Sequence, residues 1–292
     1  MAAGVLTGLH GETSYRYRKF KSDGMMAVTV GATIVTLIPL FLVLGYLLTK
    51  GVASLNWAFF THMPAPVGEA GGGMANAIVG TLELIALASL MGVPIGIGSG
   101  LYLAAHRGGR LASAARFGAD VMMGVPSIVI GIFAYAVVVR PMGGFSALAG
   151  AVALAVIMIP LVTRTTEEML LLVPHELREA ALALGVPAWR TTLWVVARTA
   201  ASGIATGAIL AVARIAGETA PLLFTAFGNR FWSTSLTSPI ASLTVQVYTY
   251  AISPFPDWQR QAWAGALVLT TIVLALELGV RWMTRGSARV IR

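Results

Sequence analysis

The stretch AVARIAGETAPLLFTAF, residues 211–227, places Arg214 and Glu218 four residues apart inside an otherwise apolar run. An arginine or a carboxylate at the centre of a bilayer costs roughly 2.5–3.5 kcal/mol on insertion scales. Leucine would be cheaper at both positions, so these charges answer to something other than lipid. On a continuous helix, positions i and i+4 share a face, and the spacing predicts that the two side chains partly neutralise each other. Such a pair turns toward the protein interior, a water-filled path or a partner subunit. Two readings stay open: a structural ion pair pinning two membrane helices, and a charged element on a solute path. Arginine suits oxyanions because its planar fork can bond two oxygens at once.

The surrounding chain has the composition of a polytopic membrane protein. Of 292 residues, 57% are hydrophobic and 11% charged, and the mean hydropathy is +0.80. Ordinary soluble domains carry about 25% charged residues. Thirteen prolines and 32 glycines fit membrane helices, whose neighbours re-satisfy interrupted backbone. With about 20 apolar residues needed per crossing, six spans are predicted: 25–49, 76–104, 121–139, 142–163, 199–227 and 262–280. The domain expectation is a tail at 1–24, a membrane domain at 25–280 with a cytoplasmic loop at 164–198, and a tail at 281–292.

Charge bias orients these spans. Arg16, Arg18, Lys19 and Lys21 precede the first. Arg107, Arg110 and Arg116 follow the second, Arg164, Arg178, Arg190 and Arg198 follow the fourth, and Arg281, Arg285, Arg289 and Arg292 follow the sixth. These alternate segments hold fifteen basic residues, against four (Lys50, Arg140, Arg230, Arg260) in the opposite loops. Both termini are therefore expected in the cytoplasm. The net charge of +8 is then topological and calls for no nucleic acid, although YRYRKFK at 15–21 also suits anionic lipid. The first apolar run is too long for a cleaved signal core.

Several chemistries find no residues. Without cysteine there is no disulfide, thiol catalysis or cysteine metal site. His10, His62, His106 and His175 are scattered, without metal-ligand spacing. No phosphate-binding G-x-x-x-x-G-K-[ST] loop, G-x-S-x-G elbow or H-E-x-x-H pair occurs. The expectation is a protein that is no enzyme, with no metal or cofactor.

The loops carry pattern. Pro174 starts and Gly185 with Pro187 stops a predicted short helix, HELREAALAL at 175–184. Its alanines, Ala180, Ala181 and Ala183, make it slim enough for a groove on another protein; an ordinary surface helix at the membrane edge is the alternative. The outer loop 228–261 is rich in aromatic residues. It reads as a segment that dips back into the protein, as one that meets an external partner, or as interfacial anchoring, the reading favoured for Trp258. The first outer loop, 50–73, reads as flexible. Gly92, Gly96 and Gly100 at four-residue intervals read as a packing stripe, and Pro94, Pro126, Pro160 and Pro221 as kinks.

Taken together, these stretches resemble the inner-membrane permease subunits of ATP-binding-cassette importers. The element EAA-x-x-x-G stands at Glu179, Ala180, Ala181 and Gly185, before the penultimate span. NAIVGTLELIALASLMGVPIGIGSGLYLA (76–104), GVPSIVIGIFAY (124–135), IPLVTRTTEEML (159–170) and ARIAGETAPLLFTA (213–226) are similar to the phosphate branch of that family, the PstA-type permeases. The resemblance implies an all-α, six-span type I importer fold in a bacterial inner membrane. It implies a second, non-identical permease subunit, two cytoplasmic ATP-binding subunits and an external phosphate-binding protein. It makes 175–184 the helix that docks on the ATPase, and it ties Arg214, Glu218 and Arg164 to phosphate movement by alternating access. The chain departs from the pattern at Ala197-Arg198, where Leu-Pro is common, at Ala105, where an acidic residue is usual, and at Thr244, where proline is common. A permease for molybdate or sulfate, the sister subunit of the phosphate pair, a secondary transporter or channel, and a membrane scaffold are the alternative readings.

Overall fold

The computed structural model describes residues 3–67, 69 and 71–285, and the side chains of 15–67, 69, 71–279 and 282. Fourteen helices follow in order: α1 (Ala3–Val52), α2 (Trp57–Thr61), α3 (Ala75–Ala105), α4 (Arg110–Gly124), α5 (Ser127–Ala134), α6 (Arg140–Met142), α7 (Ala147–Leu171), α8 (His175–Ala183), α9 (Ala188–Arg190), α10 (Ala197–Thr199), α11 (Ala201–Ala216), α12 (Ala220–Thr225), α13 (Leu243–Ala251) and α14 (Pro256–Arg285). π-helical turns at Tyr135–Val139 and Thr191–Val196 join α5 to α6 and α9 to α10. Among the described residues the only β pairing is an isolated bridge between Pro64 and Gly72.

The chain divides into two units, Met1–Lys50 and Gly51–Arg292. The first is helical throughout its described residues, so no helix boundary falls at residue 24. Within the second, α14 runs past residue 280 to Arg285. The rest of the predicted tail, 286–292, lies outside the described residues.

Among the described residues, four continuous helices are long and apolar enough to cross a membrane: Tyr15–Val52, Ala75–Ala105, Ala147–Leu171 and Pro256–Gly279. Two further pairs pass only when joined across a bend, Arg110–Gly124 with Ser127–Met142 at 106° and Ala188–Thr199 with Ala201–Ala216 at 71°. Counting each bent pair once gives six spans among the described residues, the expected number, although the bent pairs reach from 110 to 142 and from 188 to 216 in place of the expected 121–139 and 199–227.

The prolines sort into two kinds. Pro94 and Pro160 lie inside continuous helices. Pro126 stands at the 106° bend, and Pro221 opens α12 just after a break at 217–219. A proline lacks the amide needed to continue a preceding helix and collides with the carbonyl four residues back. Pro221 therefore acts on residue 217, where α11 has ended. The bend after α10 forms without a proline at 198, behind the π-helical turn at Thr191–Val196.

The centre of the second unit is the α3–α7 pair. A Cβ at Gly92, Gly96 or Gly100 would stand 2.9 Å from Met158 Sδ, 2.6 Å from Val162 Cβ and 2.6 Å from Thr166 Cβ. Glycines every four residues on α3 thus meet side chains every four residues on α7, and the backbones approach closely. Around this seam, Leu84, Leu154, Met158, Val162, Ile215 and Leu222 form the main buried cluster. Gly131 of α5 lies so close to α12 that a Cβ would sit 2.7 Å from Pro221 Cα.

Both segments predicted as outer loops contain a helix, and the 50–73 stretch is more ordered than its composition implies. In the 50–73 stretch, Asn56 caps α2 by accepting from Phe59 N at 2.7 Å, and Phe59 is buried against Met74 and Trp258. The 228–261 stretch dips back as α13. Its cap Ser242 accepts from Val245 N at 3.4 Å, Leu243 N donates to Thr81 Oγ1 at 2.7 Å, and Asn76 Nδ2 donates to Asn229 O at 2.8 Å. Trp258 is only 6% exposed and stacks on Tyr250. It is a core residue, which corrects the reading of it as a membrane-interface anchor.

Candidate functional site

Arg214 occupies the last turn of α11, whose cap is Gly217. Glu218 lies beyond the helix end, in the break before α12. The pair therefore does not share one helix face, and among the described residues neither side chain forms an ion pair. This corrects the expected i, i+4 neutralisation; the reason is the helix stop at Gly217, four residues before Pro221. Arg214 is exposed and Glu218 half-buried. Thr244 Oγ1 of α13 donates to Glu218 O at 3.1 Å. Thr244 thus ties the break to α13.

Arg164 lies on α7, which runs unbroken through Leu171, so the loop predicted from residue 164 begins eight residues later than expected, at Leu172. Its guanidinium is the second member of a chain of four charges. Arg164 Nη1 donates to Glu167 Oε2 at 2.6 Å, and Nε lies 2.9 Å from Asp120 Oδ1, an ionic contact without hydrogen-bond geometry. The other Glu167 oxygen takes Arg116, from Nε at 2.8 Å and with Nη2 at 2.6 Å. The order is Asp120, Arg164, Glu167, Arg116, alternating in sign and joining α4 to α7. The Glu167 side chain is 2% exposed, against 48% for Asp120. A buried carboxylate is tolerable when each oxygen is met by a guanidinium. No hydrogen bond or ion pair links Arg164 to Arg214 or Glu218 among the described residues.

Arg116, Asp120 and Glu167 are the charged residues that sequence reasoning did not single out. Half the signal was present. Arg164 and Glu167 stand at i, i+3 and Arg116 and Asp120 at i, i+4, both helical neighbours. The cross-pairing between helices 51 residues apart in sequence carries no local signature.

The predicted 175–184 helix is observed as α8, ending at Ala183. Gly185 has φ +79°. Its N–H donates to Leu182 O at 2.9 Å, and Val186 N–H to Ala181 O at 3.1 Å, the paired bonds of a left-handed helix stop. The helix is held to the chain on one side: Ala181 is buried, and Arg178 Nη2 donates to Thr192 Oγ1 at 3.3 Å. The other side is open. Glu179, Ala180 and Ala183 are exposed, as are Leu177, Leu182 and Leu184, the last at 84%. The His175 ring nitrogen Nδ1 lies 3.3 Å from Glu179 Oε1. Of the EAA-x-x-x-G residues, Ala181 thus serves the chain's own packing, Gly185 the helix stop, and Glu179 and Ala180 face outward.

A family model described as a binding-protein-dependent transport system inner membrane component matches residues 92–289. A phosphate transport system permease protein PstA from Yersinia pestis is 47% identical over 266 residues, 91% of this chain and 90% of that one. One from Haemophilus influenzae is 46% identical over 91% of this chain and 95% of its own. A probable PstA from Methanocaldococcus jannaschii is 35% identical over 92% and 95%. Among solved structures, inward-facing conformations of the MetNI methionine ABC transporter superpose with a TM-score of 0.61 at 18% identity, covering 73% of this chain and 95% of that one; this likeness concerns the fold. The matched family model, the identity across nine-tenths of the chain and the shared helical architecture make it a member of the binding-protein-dependent transport system inner membrane components, in their PstA-type branch.

Proposed function

We propose that this chain is a permease subunit of an ATP-driven importer that moves inorganic phosphate across the bacterial inner membrane. The observation that carries the reading is the similarity to phosphate transport permeases over nine-tenths of the chain. The site chemistry is compatible: guanidinium groups on two separate elements, Arg164 and Arg214, suit a doubly charged oxyanion. The partners are a second, non-identical permease subunit, two cytoplasmic ATP-binding subunits that perform the hydrolysis, and an external phosphate-binding protein. Both termini face the cytoplasm.

In this mechanism the open face of α8 docks on an ATP-binding subunit, with Glu179 and Ala180 at the contact and the Gly185 stop fixing its angle. Closure of the ATP-binding subunits moves α8, and the bundle alternates between inward and outward openings. Arg214, Glu218 and Arg164 line the anion's path, Arg164 at its cytoplasmic end. A weak station serves transport better than a tight one, since the ion must also leave.

The test is co-purification in mild detergent followed by uptake in proteoliposomes. Radiolabelled phosphate should accumulate only with ATP and binding protein present, and excess molybdate or sulfate should not compete. Uptake of phosphate by this chain without ATP-binding subunits would refute the importer reading.

A further inference from the structure

A cavity of about 330 Å³ opens beside α13, lined among others by Phe227, Arg230, Ser242, Gln246, Thr249 and Tyr250. At ~30 Å³ per liquid water it has room for about ten, enough for a small oxyanion with part of its hydration shell. No carboxylate lines it, and one guanidinium does. Arg230 has no acidic partner among the described residues. It lies instead 5.2 Å over the Trp258 ring, and Trp258 stacks on Tyr250 at 4.5 Å with the planes 10° apart. Stacking holds a guanidinium plane while leaving its N–H edge free for an anion.

A second observation points the same way. Tyr250 is 3% exposed, yet its hydroxyl has no hydrogen-bond partner. The polar groups that act on it are the Gln246 amide, outside hydrogen-bond geometry, and Arg230. A buried hydroxyl left unmatched is costly, and native proteins keep few of them. The backbone leading to Arg230 is also held in an uncommon shape. Phe227, with φ +64°, is the only described non-glycine residue at positive φ, and Gly228 follows at +117°. Strain of this kind gathers at functional sites.

We propose that this cavity is a receiving station for the transported oxyanion, in which Arg230 binds the anion, the Gln246 amide donates to it, and the Tyr250 hydroxyl, covered in this structure, is uncovered to donate to a remaining oxygen. The proposal rests on the importer reading, which supplies the anion and the side from which it arrives.

The experiment is uptake of radiolabelled phosphate by the complete complex in proteoliposomes at sub-saturating phosphate-loaded binding protein. Arg230→Gln should lower uptake about tenfold, the scale of one lost hydrogen bond to a charged group, and Arg230→Lys should lower it less. Tyr250→Phe, which keeps the ring stack, should lower it about threefold. The double variant should fall short of the product of the two, because both groups serve one anion. Arg260→Gln, which removes an arginine paired with Asp257 elsewhere, should leave uptake unchanged. Complex yield, measured alongside, separates lost uptake from lost folding. Wild-type uptake of phosphate with Arg230→Gln and Tyr250→Phe equal to it would overturn the station and leave the importer reading intact. An equal loss in Arg260→Gln would overturn it in favour of general surface charge. Weaker docking of the binding protein to Arg230→Gln, with Tyr250→Phe silent, would overturn it in favour of a docking contact. A wild-type complex that does not move phosphate would instead remove the reading beneath.

Discussion

Glu167 shares its two oxygens between Arg116 and Arg164 at 2.6–2.8 Å while 1% exposed. Removing one member of a buried pair strands the others, at about 3–5 kcal/mol. Glu167→Gln should therefore lower the unfolding temperature of the detergent-solubilised complex sharply. Asp120→Asn, at an end of the chain that is 48% exposed, should cost about 1 kcal/mol or less. Equal losses would mean that the buried carboxylate is not what fastens α4 to α7. Arg214 calls for a different expectation, since Glu218 lies past the helix end. Arg214→Gln should abolish phosphate uptake with the complex still assembled, and adding Glu218→Gln should not restore it. Restoration would show that the two charges do pair in the assembled transporter. The sequence disclosed that two charges stand in an apolar run. It did not disclose where the helix stops, because the effect of Pro221 acts four residues upstream of itself and competes with an otherwise strong helical pattern.

At the scale of elements, the glycine stripe of α3 and the stop of α8 were both legible, each for a local reason. Small residues at intervals of four mark one helix face, and glycine before proline marks a helix end. Gly96→Val should lower folded yield, at about 1–3 kcal/mol of overpacking or more, since the obstacle is the Val162 Cβ at 2.6 Å. Gly98→Ala, two residues away with nothing within 4 Å, should be silent; equal yields would mean the α3–α7 seam can widen freely. Gly185→Val meets no neighbour within 4 Å, so its effect comes from φ alone, about 1–2 kcal/mol for a side chain in the left-handed region. The protein should insert, yet phosphate-stimulated ATP hydrolysis in the reconstituted complex should be lost. Intact coupling would make α8 a surface helix only. What the sequence hid at this scale are the size of the bend at Pro126, read only as a kink, and the existence of the bend near Ala200, which has no proline. A hydropathy window counts apolar residues and is indifferent to direction, so neither the 106° turn at Val125-Pro126 nor the 71° turn near Ala200 registers in it.

For the whole molecule, charge bias predicts an orientation that cysteine labelling can check directly, because the native chain has no cysteine. Single cysteines at Ser14, Ser235 and Ser287 should divide cleanly in intact spheroplasts. Only the one at Ser235 should react with an impermeant thiol reagent, and reaction at either terminal position would reverse the orientation. The long-range part of the fold was the least legible. That Arg116 of α4 meets Glu167 of α7, or that Leu243 hydrogen-bonds Thr81 across 162 positions, depends on a three-dimensional packing that no local period encodes.

The alternation of Asp120, Arg164, Glu167 and Arg116 has an electrostatic consequence beyond holding two helices. Two positive and two negative charges in a row cancel as a monopole, and their field dies away steeply with distance. An anion about one Debye length off, about 8 Å at physiological ionic strength, feels little from this row. Under the importer reading, attraction at that range falls to guanidiniums with no opposing carboxylate in contact among the described residues, Arg214 and Arg230 included. Added salt should therefore slow the arrival of phosphate at the α11–α12 break while leaving the bonds between α4 and α7 nearly untouched.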